Sequence, residues 1–159
     1  MIKNKNSPPI IHANDLLNKY GFIPISVSII KIDNENNFPN KYIKKPTAKG
    51  WNTITKNNWK DSYRKDIPHM GIITGKPSNI IVIDVDVQDN GLMAWNEMTK
   101  DLNIPNTVSV KTPSGGLHFY FRWSEHLDSY IRNNSKSFIW KEEPVGIDHR
   151  TTGGFIVCP

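Results

Sequence analysis

Apolar residues along the chain follow two spacings, and these predict its elements. Phe22–Ile32 is β-branched and apolar and predicts a strand. Ile80–Val87 predicts the strongest strand of the chain, and Gly71–Thr74 a short buried one. From Asn90 to Asn103 the spacing lengthens: Leu92, Trp95, Met98 and Leu102 fall on one helix face. Val108–Lys111 and Leu117–Trp123 read as strands around the turn Pro113–Gly116, and Val145–Arg150 and Phe155–Cys158 as strands around Thr151–Gly154. His12–Tyr20 predicts a short helix with Leu16, Leu17 and Tyr20 inward and Gly21 as its stop, and Glu125–Asn133 a second short helix. The first ten residues read as a disordered N-terminus, and 33–40 as a polar turn region. Strands and helices mix without strict βαβ alternation. The expected class is therefore α+β, with a largely antiparallel mixed sheet and flanking helices.

Composition narrows the functional classes. At 159 residues the chain fits one domain, 11–159, able to bury a core. Cys158 is the only cysteine, which excludes an internal disulfide and a cysteine-based zinc site and favours a reducing compartment. Met1–Pro9 has no apolar core of a signal peptide, and no stretch approaches the roughly 20 apolar residues of a membrane span. A soluble intracellular protein is expected. The formal net charge of +5 suits a polyanionic partner without requiring one. Much of it lies in 41–65, where Lys41, Lys44, Lys45, Lys49, Lys56, Lys60, Arg64 and Lys65 face one acid, Asp61. Tyr42, Trp51, Trp59 and Tyr63 are interleaved. This segment is either a solvated basic surface anchored by its rings, with Trp51 and Trp59 in the core, or a nucleic-acid face. In the second case Lys45, Lys49, Lys56 and Lys60 are its phosphate contacts.

Three clusters carry the candidate chemistry. Asp84 and Asp86 close the apolar run from Ile80, and alternation along a strand places both carboxylates on one side, roughly 6–7 Å apart along the backbone. They either converge on cations or simply end a strand at the surface. Next come Ser114, Gly115 and Gly116, then His118 on a strand face shared with Tyr120 and Arg122. That turn is either an ordinary hairpin or a backbone cradle for phosphates. In the third cluster Asp148 and Arg150 share a strand face, while Ile147 and His149 take the other. The pair is a surface ion pair, or a metal ligand beside a phosphate-binding cation.

Each cluster alone is unspecific, but their order is not. Asp84-x-Asp86, then Ser114-Gly-Gly-x-His118, then Ile147-Asp148-x-Arg150 followed by Gly153-Gly154 and an apolar strand closely resembles the archaeo-eukaryotic primase superfamily. Within it the chain looks like the bifunctional primase–polymerase domain of plasmid, phage and large-virus replication proteins. Lys45-Pro46 with Gly50-Trp51, and Gly71 to Ser78 with Thr74-Gly75-Lys76, also match that pattern, so the resemblance runs from about Lys44 to the C-terminus.

The resemblance implies a primase catalytic core of RRM-like type. It implies that Asp84, Asp86 and Asp148 hold the metals and are catalytic, with Mg²⁺ or Mn²⁺ as cofactor. His118, Ser114, Gly115 and Gly116 would contact the nucleotide's phosphates, Arg150 likewise, with Lys76 and Lys111 as helpers. The implied partners are nucleoside triphosphates, a single-stranded DNA template and primer, and a helicase domain or subunit. The family's third motif continues past Cys158 and Pro159 into further strands and helices, so a domain lacking its C-terminal part is expected. The expected function is a DNA primase or polymerase acting in replication. Two alternatives stay open: a metal-dependent phosphodiesterase or nuclease, and a non-catalytic nucleotide or single-stranded nucleic-acid binding module.

Overall fold

A computed structural model describes residues 10–32 and 41–158. In chain order its elements are α1 (Ile10–Tyr20), β1 (Pro24–Ile32), β2 (Lys41–Pro46), a 3-10 turn (Trp51–Thr53), α2 (Trp59–Ser62), β3 (His69–Ile73) and β4 (Ile80–Val85). They continue with α3 (Gly91–Thr99), β5 (Val108–Lys111), β6 (Leu117–Arg122), α4 (Glu125–Tyr130), β7 (Ile139–Trp140), β8 (Glu143–Pro144), β9 (Ile147–Arg150) and β10 (Phe155–Val157). The class is α+β, as the sequence predicts, and no helix among the described residues is long and apolar enough to cross a membrane. The strands among the described residues form two four-stranded sheets and a two-stranded ribbon. The chain correspondingly forms two compact units, one reaching to Ile73 and taking in Ile156–Cys158, the other Thr74–Phe155.

The first unit holds the sheet ordered β10-β3-β1-β2. β1 lies antiparallel to both neighbours, from Pro24↔Ile72 to Val27↔His69 on one side and from Val27↔Pro46 to Ile32↔Lys41 on the other. Its core contains Ala13, Ile23, Ile25, Val27, Ile72 and Trp59, the last only 2% exposed. Fully burying a large aliphatic side chain contributes about 1.5–3 kcal/mol. Trp59 is core as expected, whereas Trp51 is half-buried on the 3-10 turn. One inward expectation fails here: Tyr20 is 63% exposed, its ring stacked on Phe22. α1 begins at Ile10, the last residue of the stretch read as disordered, and 1–9 lie outside the described residues. Gly21, at φ 73°, ends the helix as expected, with its N–H donating to Leu17 O. The turn region read at 33–40 lies outside the described residues.

The second unit holds the sheet ordered β5-β6-β4-β9, with its three pairings all antiparallel. Alternation splits this sheet cleanly. Ile81, Ile83 and Val85 of β4, Phe119 of β6 and Ile147 of β9 share one face, and α3 packs there through Leu92, Ala94, Trp95 and Met98. Trp95 stacks on Phe119 with ring centroids 4.8 Å apart. α3 stops at Thr99, four residues short of the predicted end. Leu102 therefore lies beyond the helix and is 61% exposed, at the edge of a 310 Å³ apolar cavity lined also by Ile83, Phe121 and Leu127. The opposite face of the same sheet carries the polar clusters.

Candidate metal and nucleotide site

Strand register brings the acidic and histidine side chains into one row. Asp84 on the central strand β4 stands directly opposite His118 of β6 on one side and Asp148 of β9 on the other. Paired residues of an antiparallel ladder project to the same face, so all three side chains leave the sheet together. Arg150, two residues past Asp148, pairs with Val82 and shares that face. Along the chain each stands thirty or more positions from the next; the ladder makes them neighbours.

Asp86 arrives differently. The sequence reading carries β4 through Val87, but the strand ends at Val85, and Asp86 is fixed by loop contacts instead. Its N–H donates to Gly146 O at 2.8 Å, and its carbonyl accepts from Leu92 N–H at 3.1 Å. Gly146 permits this approach, because a Cβ there would lie 2.3 Å from Gln88 O and 3.3 Å from the Asp86 Cβ. Asp84, Asp86 and Asp148 nonetheless converge: each offers a carboxylate oxygen, and these oxygens all lie within 4.8 Å of one another.

An imidazole, a guanidinium and a backbone amide lie against these carboxylates. His118 Nε2 is 3.3 Å from Asp84 Oδ1. Arg150 Nη2 donates to Asp148 Oδ2, its Nε lies 3.9 Å from Asp84 Oδ2, and its Nη1 donates to Ser135 Oγ at 3.4 Å. The backbone N–H of Lys136 donates to Asp148 Oδ1 at 2.7 Å. Asp84, Asp148 and His118 are all under 9% exposed. Buried carboxylates are costly without opposite charge or donors, and here the Arg150 guanidinium and the Lys136 amide supply part of the compensation. His118 Nδ1 is buried with no hydrogen-bond partner among the described residues.

The donor set tests a metal directly. Three carboxylates present hard oxygen ligands, which suit Mg²⁺ or Mn²⁺ and not a thiophilic ion. Two are buried on a rigid central sheet and the third is clamped by main-chain hydrogen bonds, so their convergence costs little further ordering. The residues present fit a divalent cation.

The remaining sequence candidates divide. Gly116 holds the Ser114–Gly116 turn against the end of β4: a Cβ there would meet Val85 O at 2.4 Å. Ser114 Oγ lies 3.0 Å from Thr112 Oγ1, and Gly115 N–H already donates to Thr112 O. Lys111 pairs with Leu117, one step out of phase with His118, and so projects from the other face of the sheet. Lys76 is exposed, with Nζ 5.7 Å from the Trp123 ring centroid. His149 also projects to the other face, against Phe138 with centroids 4.7 Å apart. Burial lowers its pKa against the opposing pull of Asp148.

The family model for the bifunctional DNA primase/polymerase, N-terminal domain, matches residues 18–159. The chain belongs to this family. A search of curated proteins found no match. Membership in the primase/polymerase family carries a DNA primase/polymerase-type function, with nucleotides and DNA as substrate classes. The resemblance read from the order of the three clusters is thereby established over nearly the whole chain. Sequence reasoning missed two contributors to the site, Ser135 and the Lys136 amide. A backbone N–H carries no residue-type signal, and Ser135 lies in a polar stretch with nothing to distinguish it.

Proposed function

We propose that the chain is a template-directed nucleotidyltransferase that joins nucleoside triphosphates into a primer, or extends one, on single-stranded DNA. On this reading residues 11–159 act as one catalytic domain, with Asp84, Asp86 and Asp148 as the metal ligands. The observation that carries it is the convergence of those three carboxylates within 4.8 Å from two segments far apart in the chain, 84–86 and 148. When bound, divalent cations lower the pKa of the attacking hydroxyl and stabilise the leaving pyrophosphate. The chain's own residues do the rest. Asp84 and Asp148 project from adjacent strands and hold their carboxylates at a fixed separation. The Arg150 guanidinium, at the edge of the cluster, offers forked donors to phosphate oxygens. His118 Nδ1, buried and without a hydrogen-bond partner among the described residues, is a second polar atom for the nucleotide. Gly116 keeps the Ser114–Gly116 turn close to the end of β4, where its backbone can approach the triphosphate. Lys111, facing away, has no part in this reading.

The test is incorporation of labelled nucleotide on primed single-stranded DNA with Mg²⁺ or Mn²⁺, beside calorimetry of nucleotide binding. The chain should extend the primer, and Asp84→Asn or Asp148→Asn should each lower the rate about a thousandfold, the several kcal/mol that metal stabilisation supplies. Nucleotide binding should require the metal and vanish in Asp84→Ala. Degradation of the DNA without incorporation, or metal-dependent nucleotide binding that survives Asp84→Ala, sinks the reading.

A further inference from the structure

Beyond Val27 the first unit's sheet narrows to two strands. β3 pairs with β1 only from Pro24 to Val27, whereas β2 continues from Ser28↔Lys45 to Ile32↔Lys41. The five extra pairs make an arm about 17 Å long. Among the described residues both of its faces carry exposed side chains. Ile30 and Ile43, directly opposite one another, are 52% and 48% exposed on one face, and Tyr42 is 50% exposed on the other.

The Tyr42 face is organised by register. Lys31 stands directly opposite Tyr42, and Lys44 lies two residues further along β2 on the same side. All three are exposed, and no hydrogen bond or ion pair engages their side chains among the described residues. Neither strand of the arm contains an acidic residue. The structure thus re-sorts the basic residues of 41–65. Lys45 belongs to the Ile30–Ile43 face, Lys60 lies over the Trp59 ring at 5.8 Å, and the Lys56 ammonium sits against Gly21, 3.1 Å from where a Cβ would be.

We propose that the Lys31–Tyr42–Lys44 face of this arm binds single-stranded DNA, the Tyr42 ring stacking on one base and the two ammonium groups neutralising flanking phosphates. It deepens the template-directed reading above, on which it rests, by naming the surface that holds the strand. An exposed ring between two cations offers what an unpaired base and its phosphates need. A duplex keeps its bases stacked on one another and leaves the ring no partner. The charge on β2 also discourages the other use of an open sheet edge, pairing with a second copy.

The full chain is titrated against an end-labelled oligothymidylate by fluorescence anisotropy at several salt concentrations. Tyr42→Ala should raise Kd about tenfold with the salt slope unchanged, and Tyr42→Phe should bind as the parent does. Lys31→Ala and Lys44→Ala should each reduce the salt slope by about 0.7. Lys45→Ala, on the opposite face, should move Kd less than about twofold, and duplex of the same length should bind at least about tenfold more weakly. Parent-like binding by Tyr42→Ala and by the double variant Lys31→Glu/Lys44→Glu overturns the proposal. So does a dimer, seen by sedimentation, that Ile43→Lys disperses without changing DNA affinity. Metal-dependent nucleotide binding, measured on the same variants, separates the two readings: it should be untouched in every one of them. If it persists while the arm variants bind DNA normally, the arm proposal alone has failed.

Discussion

On the reading proposed above Asp148 holds a cation, and a carboxylate that does so must point the same way in every molecule; here the Lys136 amide on one oxygen and the Arg150 guanidinium on the other enforce this. Lys136 N–H donates to Asp148 Oδ1 at 2.7 Å, and Lys136 reaches that position with φ at 49°, in the left-handed region. Its side chain pairs with Asp89 at 2.9 Å, but both groups are about half exposed, so that pair contributes little. The backbone, not the ammonium, is therefore the part that matters. Lys136→Gly keeps the N–H and relaxes the left-handed strain, and should change stability by less than about 1 kcal/mol. Lys136→Pro removes the N–H and cannot adopt φ 49°, and should cost about 3 kcal/mol. Its Mn²⁺ affinity should also fall about 10–100-fold, as when other groups that orient a metal ligand are lost. Chemical denaturation and Mn²⁺ titration by electron paramagnetic resonance check both. A glycine variant that loses the metal as badly as the proline variant would assign the effect to the ammonium instead.

At the scale of elements, α4 shows how a short helix is retained. Six residues are too few to persist alone, and its N-terminus is capped by Ser124 Oγ, which accepts from Leu127 N–H at 3.1 Å. Asp128 then accepts from the Thr151 and Thr152 hydroxyls, tying the helix to the turn after β9. Partial burial works to raise the Asp128 pKa, but these hydroxyls, with Trp123 and the Thr152 amide, outweigh it, and the net shift is downward. A carboxylate depressed in the folded state stabilises above its unfolded pKa, about 3.9, and that contribution fades as pH falls through the lower folded value. Asp128→Ala should cost about 1 kcal/mol at pH 7, and its deficit relative to the parent should shrink in acid. Urea melts at pH 7 and pH 3 measure this; an equal deficit at both pH values would exclude the ionised carboxylate as the cause. Elements of this unit were legible in the sequence where burial imposed a period, as in β4, β6 and the first half of α3. β7 and β8 were not, because Lys141 and Glu142 adopt left-handed φ values of 50° and 68° without the Asn or Gly that marks such a turn. β2 was not, because an arm exposed on both faces shows no alternation of apolar and polar residues. The order of Asp84, His118 and Asp148 was legible, but not that Asp86 is placed by Gly146 rather than by a strand.

At the scale of the whole chain, the number of sheets was not legible for a physical reason: strand pairing is non-local, and no pattern within β3 or β10 states which strand lies beside it. The chain leaves the first unit after Ile73 and re-enters it at Ile156, so that β10 joins β3 at the edge of the first sheet. Cys158 N–H donates to Met70 O at 2.8 Å just past that strand. The cysteine residue is partly exposed, yet its thiol is packed among protein atoms, and burial pushes its pKa up to about 12. The neighbouring Tyr63 hydroxyl is raised as well, by burial first and by Cys158 second. Both groups favour the neutral form in the folded state. Their contribution is therefore complete below the unfolded pKa, about 8.5 for the thiol, and is lost as pH rises towards the folded value. The chain should lose stability progressively above about pH 8.5, and Cys158→Ala should flatten part of that slope while Tyr63 retains the rest. The same shift makes the sole thiol a reporter of the return strand. At pH 8 its folded thiolate fraction is about a thousandfold below that of an unfolded cysteine, so alkylation should proceed only through opening of the β10 edge. Labelling followed by mass spectrometry across a urea series should therefore track unfolding of the first unit; fast labelling without denaturant would show that β10 does not hold Cys158 in its packed position.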